Sequence, residues 1–426
     1  MRYAIIGNGV ASLGAVEGIR GLDPQGDITL FSREPNMTYG RPLISYLLSG
    51  KLPEERMLLR PKEFYREKGV EARLGVSVQG LDREKRVFEL SDGSREEYDR
   101  LLLATGGSPI FPPIEGSSGP DVYTFISWED ARELDAAVKG MRRAVVIGGG
   151  LIGLKAAEAL FDRGVDVSIV ELAPRVLSAA FDDDAGGLVT SRLEDMGFNI
   201  RCRDTVQKIE RSGNNRVRGV FLKSGDFLEA DAVVVAIGVV PRIDLARDCG
   251  LETNRGIVVD NFLQSSLSGI YAAGDVAEAR DLLWGDRRVT PIWPNAYAQG
   301  VAAGRNMAGA QAEYPGGLAM NSIGFYGLPT VSIGIVNPPE NEGFEVEREL
   351  DIDKQKYRKL VFRDERLVGC VLVGDISQAG NYNAYIRFQL PLEKKTKIRL
   401  LSGEPTPLQW PEEKFRMEWN PRARLI

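Results

Sequence analysis

Two glycine-rich turns, each set between an apolar strand and a helix, constrain this chain more than any other feature. The first is Gly7-Asn8-Gly9-Val10-Ala11-Ser12, which follows a strand at residues 2–6 and opens a helical stretch to about Arg20. The strand Asp27 to Phe31 comes next. The second turn is Gly148-Gly149-Gly150-Leu151-Ile152-Gly153. It lies between the strand Ala144 to Ile147 and a helix to about Arg163, and the strand Val167 to Val170 then ends at Glu171. This unit can receive a dinucleotide: the glycines admit a pyrophosphate to the backbone, and the helix N-terminus stabilises its charge. The second turn has full G-x-G-x-x-G spacing and an acid roughly 20 residues on, the context the motif requires. In the first, Ser12 stands at the third glycine position and is small enough for close helix–strand packing. Two such units predict an α/β chain with two Rossmann-like domains.

An acid ending the second strand of such a unit binds adenosine ribose hydroxyls and repels a 2′-phosphate. Glu171 fills that position and predicts NADH over NADPH, although Arg175 lies close enough to keep the phosphate open. In the first unit the equivalent position falls near Ser32, and the nearest carboxylate is Glu34, either a ribose contact or a solvated loop charge. Two further strand-to-turn junctions predict FAD as the first nucleotide. Leu101-Leu102-Leu103 runs into Ala104-Thr105-Gly106-Gly107, and Ile270-Tyr271-Ala272-Ala273 runs into Gly274-Asp275. The glycine of the second junction admits a phosphate, and its acid can bond a ribitol hydroxyl.

Length and composition narrow the chemistry. A chain of 426 residues suggests two to four domains. It contains no histidine, so no proton shuttle or metal site rests on imidazole, and the chemistry is expected from cofactors. Three separated cysteines, Cys202, Cys249 and Cys370, form no C-x-x-C pair and fit a reducing compartment. A net charge of −6 argues against a general nucleic-acid surface. No apolar run approaches the roughly 20 residues of a spanning helix. Met1 to Gly7 reads as a strand entering a turn, not as a secretory signal. The expected location is the cytoplasm.

The order GNGVAS, LLLATGG, GGGLIG, VVVAIGVVPR and IYAAGDVAE resembles the two-dinucleotide-domain flavoproteins, the pyridine nucleotide–disulfide oxidoreductase superfamily, over about residues 1–310. That resemblance implies a discontinuous FAD-binding domain at 1–112 and 242–316, with an NAD(H)-binding domain at 113–241. Tyr39-Gly40-Arg41-Pro42-Leu43-Ile44-Ser45 is similar to the flavin-facing segment of NADH–rubredoxin and NADH–ferredoxin reductases, which lack a redox cysteine there. Residues 32–56 here also contain none. The resemblance implies cofactor contacts at Arg41, Pro42, Ser45, Thr105, Gly106, Gly107 and Gly238, besides the two glycine turns, Gly274 and Asp275. Residues 290–307 are similar to the helix whose N-terminus points at the flavin pyrimidine. Trp293 then either covers the ring or lies in the core, and Gln299 is either a flavin contact or a satisfied helix residue. Two positions depart from the pattern: Tyr46 replaces the lysine often found after the serine, and Lys155 replaces the usual glutamate after the second glycine turn.

From about residue 318 the pattern changes to short strands: 330–335, 359–362 and 367–374, with Asp364-Glu365 as a hairpin turn and a helix at 376–390. Residues 317–402 thus read as an α+β domain in which Cys370 is a small buried hydrophobe. It resembles the C-terminal domain of rubredoxin-reductase-like proteins and of the NAD(H)-handling flavoprotein subunits of phenylglyoxylate dehydrogenase and tungsten aldehyde oxidoreductase. Residues 403–426, with Trp410 and Trp419, read as an extended tail that wraps its own domain or, with a slight preference, docks on another subunit. The implied activity is hydride transfer between NAD(H) and FAD with no catalytic side chain, followed by electron exchange with an iron–sulfur protein or subunit in an oligomer or complex. A stand-alone NADH oxidase or small-molecule reductase and a non-catalytic FAD/NADH-binding protein are the alternatives.

Overall fold

The computed structural model describes residues 1–402, so the tail lies outside the described residues. The chain divides into two compact units: Met1–Ala179 with Val189–Ala319, and Ala180–Leu188 with the residues from Met320 onward.

The first unit holds two parallel five-stranded sheets. One runs in the order Ile270–Ala272, Arg100–Leu103, Arg2–Ile6, Asp27–Ser32, Val70–Leu74. The other runs Asn199–Cys202, Asp166–Glu171, Arg143–Ile147, Ala232–Val235, Val122–Thr124. In each the strand that leads into the glycine turn is the middle one, with the next two strands added on one side and the remaining two on the other, which leaves a crevice at the strands' carboxyl ends. Both glycine turns stand there. The inner strands, such as Arg143–Ile147 and Ala232–Val235, are nearly continuous apolar runs because both sheet faces are covered. The Ile5 and Val145 side chains are fully buried.

The helix Val10–Arg20 packs against the helix Trp293–Met307 with backbones almost touching. A Cβ on Gly14 would stand 2.4 Å from the Tyr297 carbonyl oxygen, and one on Gly300 would stand 2.0 Å from that of Ala11. Glycines spaced four apart on each helix, at 14 and 18 and at 300 and 304, make the crossing possible.

The second unit is an antiparallel sheet in the order Met320–Phe325, Leu328–Gly334, Arg366–Val373, Lys356–Arg363, Glu345–Asp351. Asp364 and Glu365 form its two-residue hairpin, with φ of +49° and +54° between the paired Arg363 and Arg366. The helix expected at 376–390 covers only Ala379–Arg387, because Gln389 turns to φ +49°; a second helix follows at Lys394–Leu401. Cys370 is fully buried in the sheet, which raises its thiol well above the usual range. Lys359 is 1% exposed, and its Nζ meets Asp182 at 2.9 Å. The Tyr357 hydroxyl donates to the same carboxylate at 2.6 Å. Burial would raise the Asp182 carboxyl, but Lys359 and Tyr357 outweigh it and hold the group below its ordinary range. Among the described residues no helix is long and apolar enough to cross a membrane.

Candidate nucleotide sites

Gly7 and Gly148 open the two turns with φ of +117° and +110°, where a side chain is strained. Space forbids one as well: a Cβ would lie 2.0 Å from the Ala104 carbonyl oxygen at Gly7 and 2.4 Å from that of Ala236 at Gly148. Gly9 and Gly150 cap the two helices in extended conformation, and a Cβ at either would meet nothing within 4 Å. Open space at a helix N-terminus with unpaired N–H groups fits a pyrophosphate. Val10 and Ala11 are buried at the start of the first helix, while Leu151 and Ile152 are half-buried at the start of the second. At the third position Gly153 lies against the Gly148 carbonyl, where a Cβ would be 1.9 Å from the oxygen. The corresponding Ser12 instead donates its hydroxyl to the Gly7 carbonyl at 2.8 Å, which is how a serine serves there.

Around the first turn the structure gathers most of the residues expected near flavin. Gly274 has φ +84°, and its N–H donates to Gln299 Oε1 at 2.7 Å; Gln299 is 3% exposed. Gln299 therefore braces the turn that presents Asp275. Burial raises the Asp275 carboxyl, with Arg41 offsetting part of the rise. Among the described residues no hydrogen bond reaches that carboxylate, so its need for a donor fits a ligand hydroxyl. Arg41 pairs with Glu34 at 2.9 Å and donates to the Ile126 carbonyl at 2.7 Å. Tyr39 donates to the other oxygen of Glu34 at 2.7 Å. Burial pushes the Glu34 carboxyl up, but Arg41 outweighs it and holds the group low. Each Glu34 oxygen thus has one protein partner, which removes the solvated-loop reading and leaves acceptor capacity for a ribose hydroxyl. Ser45 is buried, and its hydroxyl leans on the Pro42 carbonyl at 3.4 Å. Pro42 is exposed.

Thr105, Gly106 and Gly107 meet the chain returning through Gly238, whose φ is +122°. Gly107 pairs with Pro241, and the Thr105 hydroxyl donates to the Arg242 carbonyl at 2.9 Å. Arg242 in turn donates to Ser108 Oγ at 2.6 Å and to the Thr105 carbonyl at 3.2 Å. Burial, then repulsion from Arg33 and Arg41, lowers the Arg242 guanidinium to about 10. A guanidinium destabilised by two others beside the first glycine turn fits an anionic ligand. Sequence reasoning quoted Arg242 inside a motif but did not assign it, and Arg33 was also missed; the only available signal was a basic residue following an apolar strand. Trp293 is 41% exposed at the N-terminus of its helix, which excludes the buried-core reading.

In the second pocket Glu171 accepts from the Gly149 N–H at 2.5 Å and from the Ala173 N–H at 2.6 Å. The carboxylate is locked over its own glycine turn, and Leu172 beside it is 70% exposed. None of the three cysteines belongs to the segment Tyr39 to Leu48. Cys249 is buried among Ala246 and its neighbours, and Cys202 ends a strand in register with Glu171.

Residues 1–300 match the pyridine nucleotide-disulphide oxidoreductase family. This chain belongs to that family. Its cofactors are FAD and NAD(H), and the two open glycine turns just described fit their pyrophosphates. Residues 320–390 match the rubredoxin NAD+ reductase C-terminal domain. Among relatives of the oxidoreductase, the NADH-dependent phenylglyoxylate dehydrogenase subunit epsilon of Aromatoleum evansii is 34% identical over 89% of this chain and 90% of its own length. The nitrite reductase [NAD(P)H] of Bacillus subtilis is 32% identical over 94% of this chain, which spans only 49% of that protein. A ferredoxin reductase from Rhodopseudomonas palustris superposes with a TM-score of 0.84 at 26% identity, covering 93% of this chain and 96% of its own. The oxidoreductase keeps the family fold without a thiol in the segment Tyr39 to Leu48.

Proposed function

We propose that this oxidoreductase passes a hydride between NAD(H) and FAD and exchanges electrons directly with an iron–sulfur protein or subunit. The observation that carries the reading is the pairing of two open glycine turns with a cysteine-free segment beside Asp275 and Arg41. In this reading the FAD domain comprises residues 1–112 and 242–316 and the NAD(H) domain 113–241, with the flavin pyrophosphate held at Gly7 to Ser12 by Arg41 and Arg242. Asp275 takes the ribitol, Thr105 to Gly107 and Gly238 contact the flavin nucleotide, Trp293 covers the ring, and Glu171 takes the NAD(H) ribose. Bound FAD supplies the ability to take up a hydride and release single electrons. The side chains bind and orient, and nicotinamide and flavin must approach to roughly 3–3.5 Å. The epsilon-subunit relative supports a place as one component of a complex, and the ferredoxin reductase neighbour supports an iron–sulfur partner; in this reading the protein works in the cytoplasm.

Anaerobic stopped-flow of the FAD-loaded chain tests this. NADH should bleach the flavin within the first turnover, and a ferredoxin or rubredoxin should restore its colour faster than air does. Rapid reoxidation by air alone would favour the stand-alone oxidase. Absence of bleaching would leave only a non-catalytic binding protein.

A further inference from the structure

We infer that Arg163 is a positioning residue that fixes the NAD(H) lobe against the flavin-facing segment, so that hydride geometry comes from a preformed clamp. This rests on the hydride transfer proposed above. The short helix Ile44–Leu48 directly follows Arg41-Pro42-Leu43. Among the described residues no backbone N–H reaches its last carbonyl, that of Leu48. Helix-end carbonyls need an outside donor. Arg163 supplies it from the other lobe: its Nη1 lies 2.7 Å from the Leu48 oxygen and 2.5 Å from Asp135 Oδ1.

One guanidinium therefore joins three helices. Arg163 stands two residues past the helix Leu151–Phe161, and Asp135 lies on the helix Trp128–Val138, both in the NAD(H) lobe; Leu48 belongs to the flavin lobe. The helix Leu151–Phe161 starts at the second glycine turn. Its N-terminal end is where the proposed nucleotide would bind, and the chain just past its far end is pinned to the segment carrying Arg41 and Ser45. Two more ion pairs flank the junction, Lys51 with Asp162 at 2.6 Å and Arg132 with Glu54 at 2.8 Å. Lys51 is 58% exposed and Arg132 41%, so solvent screens both pairs and each alone contributes little. Arg163 is 25% exposed, and its loss would leave a helix-end carbonyl without a donor. It is the member of the group able to hold a fixed distance.

The test uses the full chain with Arg163→Met, Arg163→Lys and Asp135→Asn. Amide hydrogen exchange of the protein without cofactors is read across residues 44–52. Exchange there is expected to quicken about tenfold in Arg163→Met, equivalent to one lost hydrogen bond, with partial recovery in Arg163→Lys and no change elsewhere in the flavin lobe. In the FAD-loaded protein, NADH should reduce the flavin roughly tenfold more slowly, because small misplacement of reacting atoms is costly. Dithionite reduction, FAD content and NADH affinity should match the parent. Unchanged exchange at 44–52 overturns the inference, as does an unchanged rate in a parent chain that NADH does reduce. If Arg163→Met fails to fold, Asp135→Asn decides: a smaller quickening of the same sign supports the clamp, and none overturns it. If NADH does not reduce the parent, the functional reading falls, and exchange alone decides the clamp.

Discussion

Replacing Gly300 by alanine tests whether the crossing of Val10–Arg20 with Trp293–Met307 depends on direct backbone contact. The new methyl would start 2.0 Å from the Ala11 carbonyl oxygen, with the Ala11 carbonyl carbon at 2.8 Å. Ordinary contact begins at 3.4 Å, so the helices must part by about 1.4 Å. Neither obstacle is a flexible side chain. Overpacking of this kind costs about 3 kcal/mol, against about 1 kcal/mol returned by alanine's better helix propensity. The net loss of about 2 kcal/mol corresponds to a fall of roughly 4–8 °C in Tm. Gly187→Ala is the matched control. It changes an exposed helical glycine whose Cβ would meet nothing within 4 Å, and it should stabilise by about 0.5–1 kcal/mol. Thermal and urea unfolding of the two variants, followed by circular dichroism, should therefore shift in opposite directions. Since Ala11 belongs to the first glycine turn, Gly300→Ala should also retain less FAD after gel filtration. A Gly300→Ala protein as stable as its parent would refute the reasoning.

Three further outcomes are expected. Asp275→Asn should raise the stability of the cofactor-free protein at neutral pH while weakening FAD binding by about tenfold. The sign follows from its raised carboxyl: the folded protein binds the extra proton between the ordinary value of 3.8 and the folded value, so its penalty is complete above that window and disappears as pH falls through it. Thermal unfolding across pH and a flavin fluorescence titration check the two halves. Glu171→Ala removes two backbone hydrogen bonds at 2.5 and 2.6 Å and should weaken NADH binding roughly 30-fold with FAD content unchanged, as equilibrium titration would show. A chain carrying Cys202→Ser, Cys249→Ala and Cys370→Ala should keep NADH-driven flavin reduction within about twofold of the parent, since residues 39–48 contain no thiol and the three cysteines are free and widely separated in sequence; stopped-flow measures it.

Much of the fold was legible because its signals are local. A strand, a glycine turn and a helix occupy consecutive residues, so Gly7 to Ser12 and Gly148 to Gly153 could be placed without knowing what packs on them. Glu171 could be placed because it ends a strand of fixed length. Glu34 could not, because its partners depend on how Tyr39 and Arg41 fold back onto it. Arg242 escaped assignment for a similar reason: its meaning lies in Arg33 and Arg41, some 200 residues earlier in the chain. The edge strand Glu345–Asp351 was missed because charges dominate it, as suits an edge that must not recruit another strand. The shortened helix Ala379–Arg387 shows the limit of reading helical period alone, since the turn at Gln389 leaves no compositional mark.

The carboxylate that neutralises Lys359 comes from Asp182, well outside the stretch that supplies the rest of that sheet's unit. A gene fragment beginning at Met320 would express a lysine sealed in apolar surroundings with no counter-charge, an arrangement that costs about 3–5 kcal/mol. Such a fragment should be insoluble unless residues 180–188 are supplied in trans or grafted onto it. Modular exchange of this region between proteins must therefore carry two separate pieces of coding sequence together.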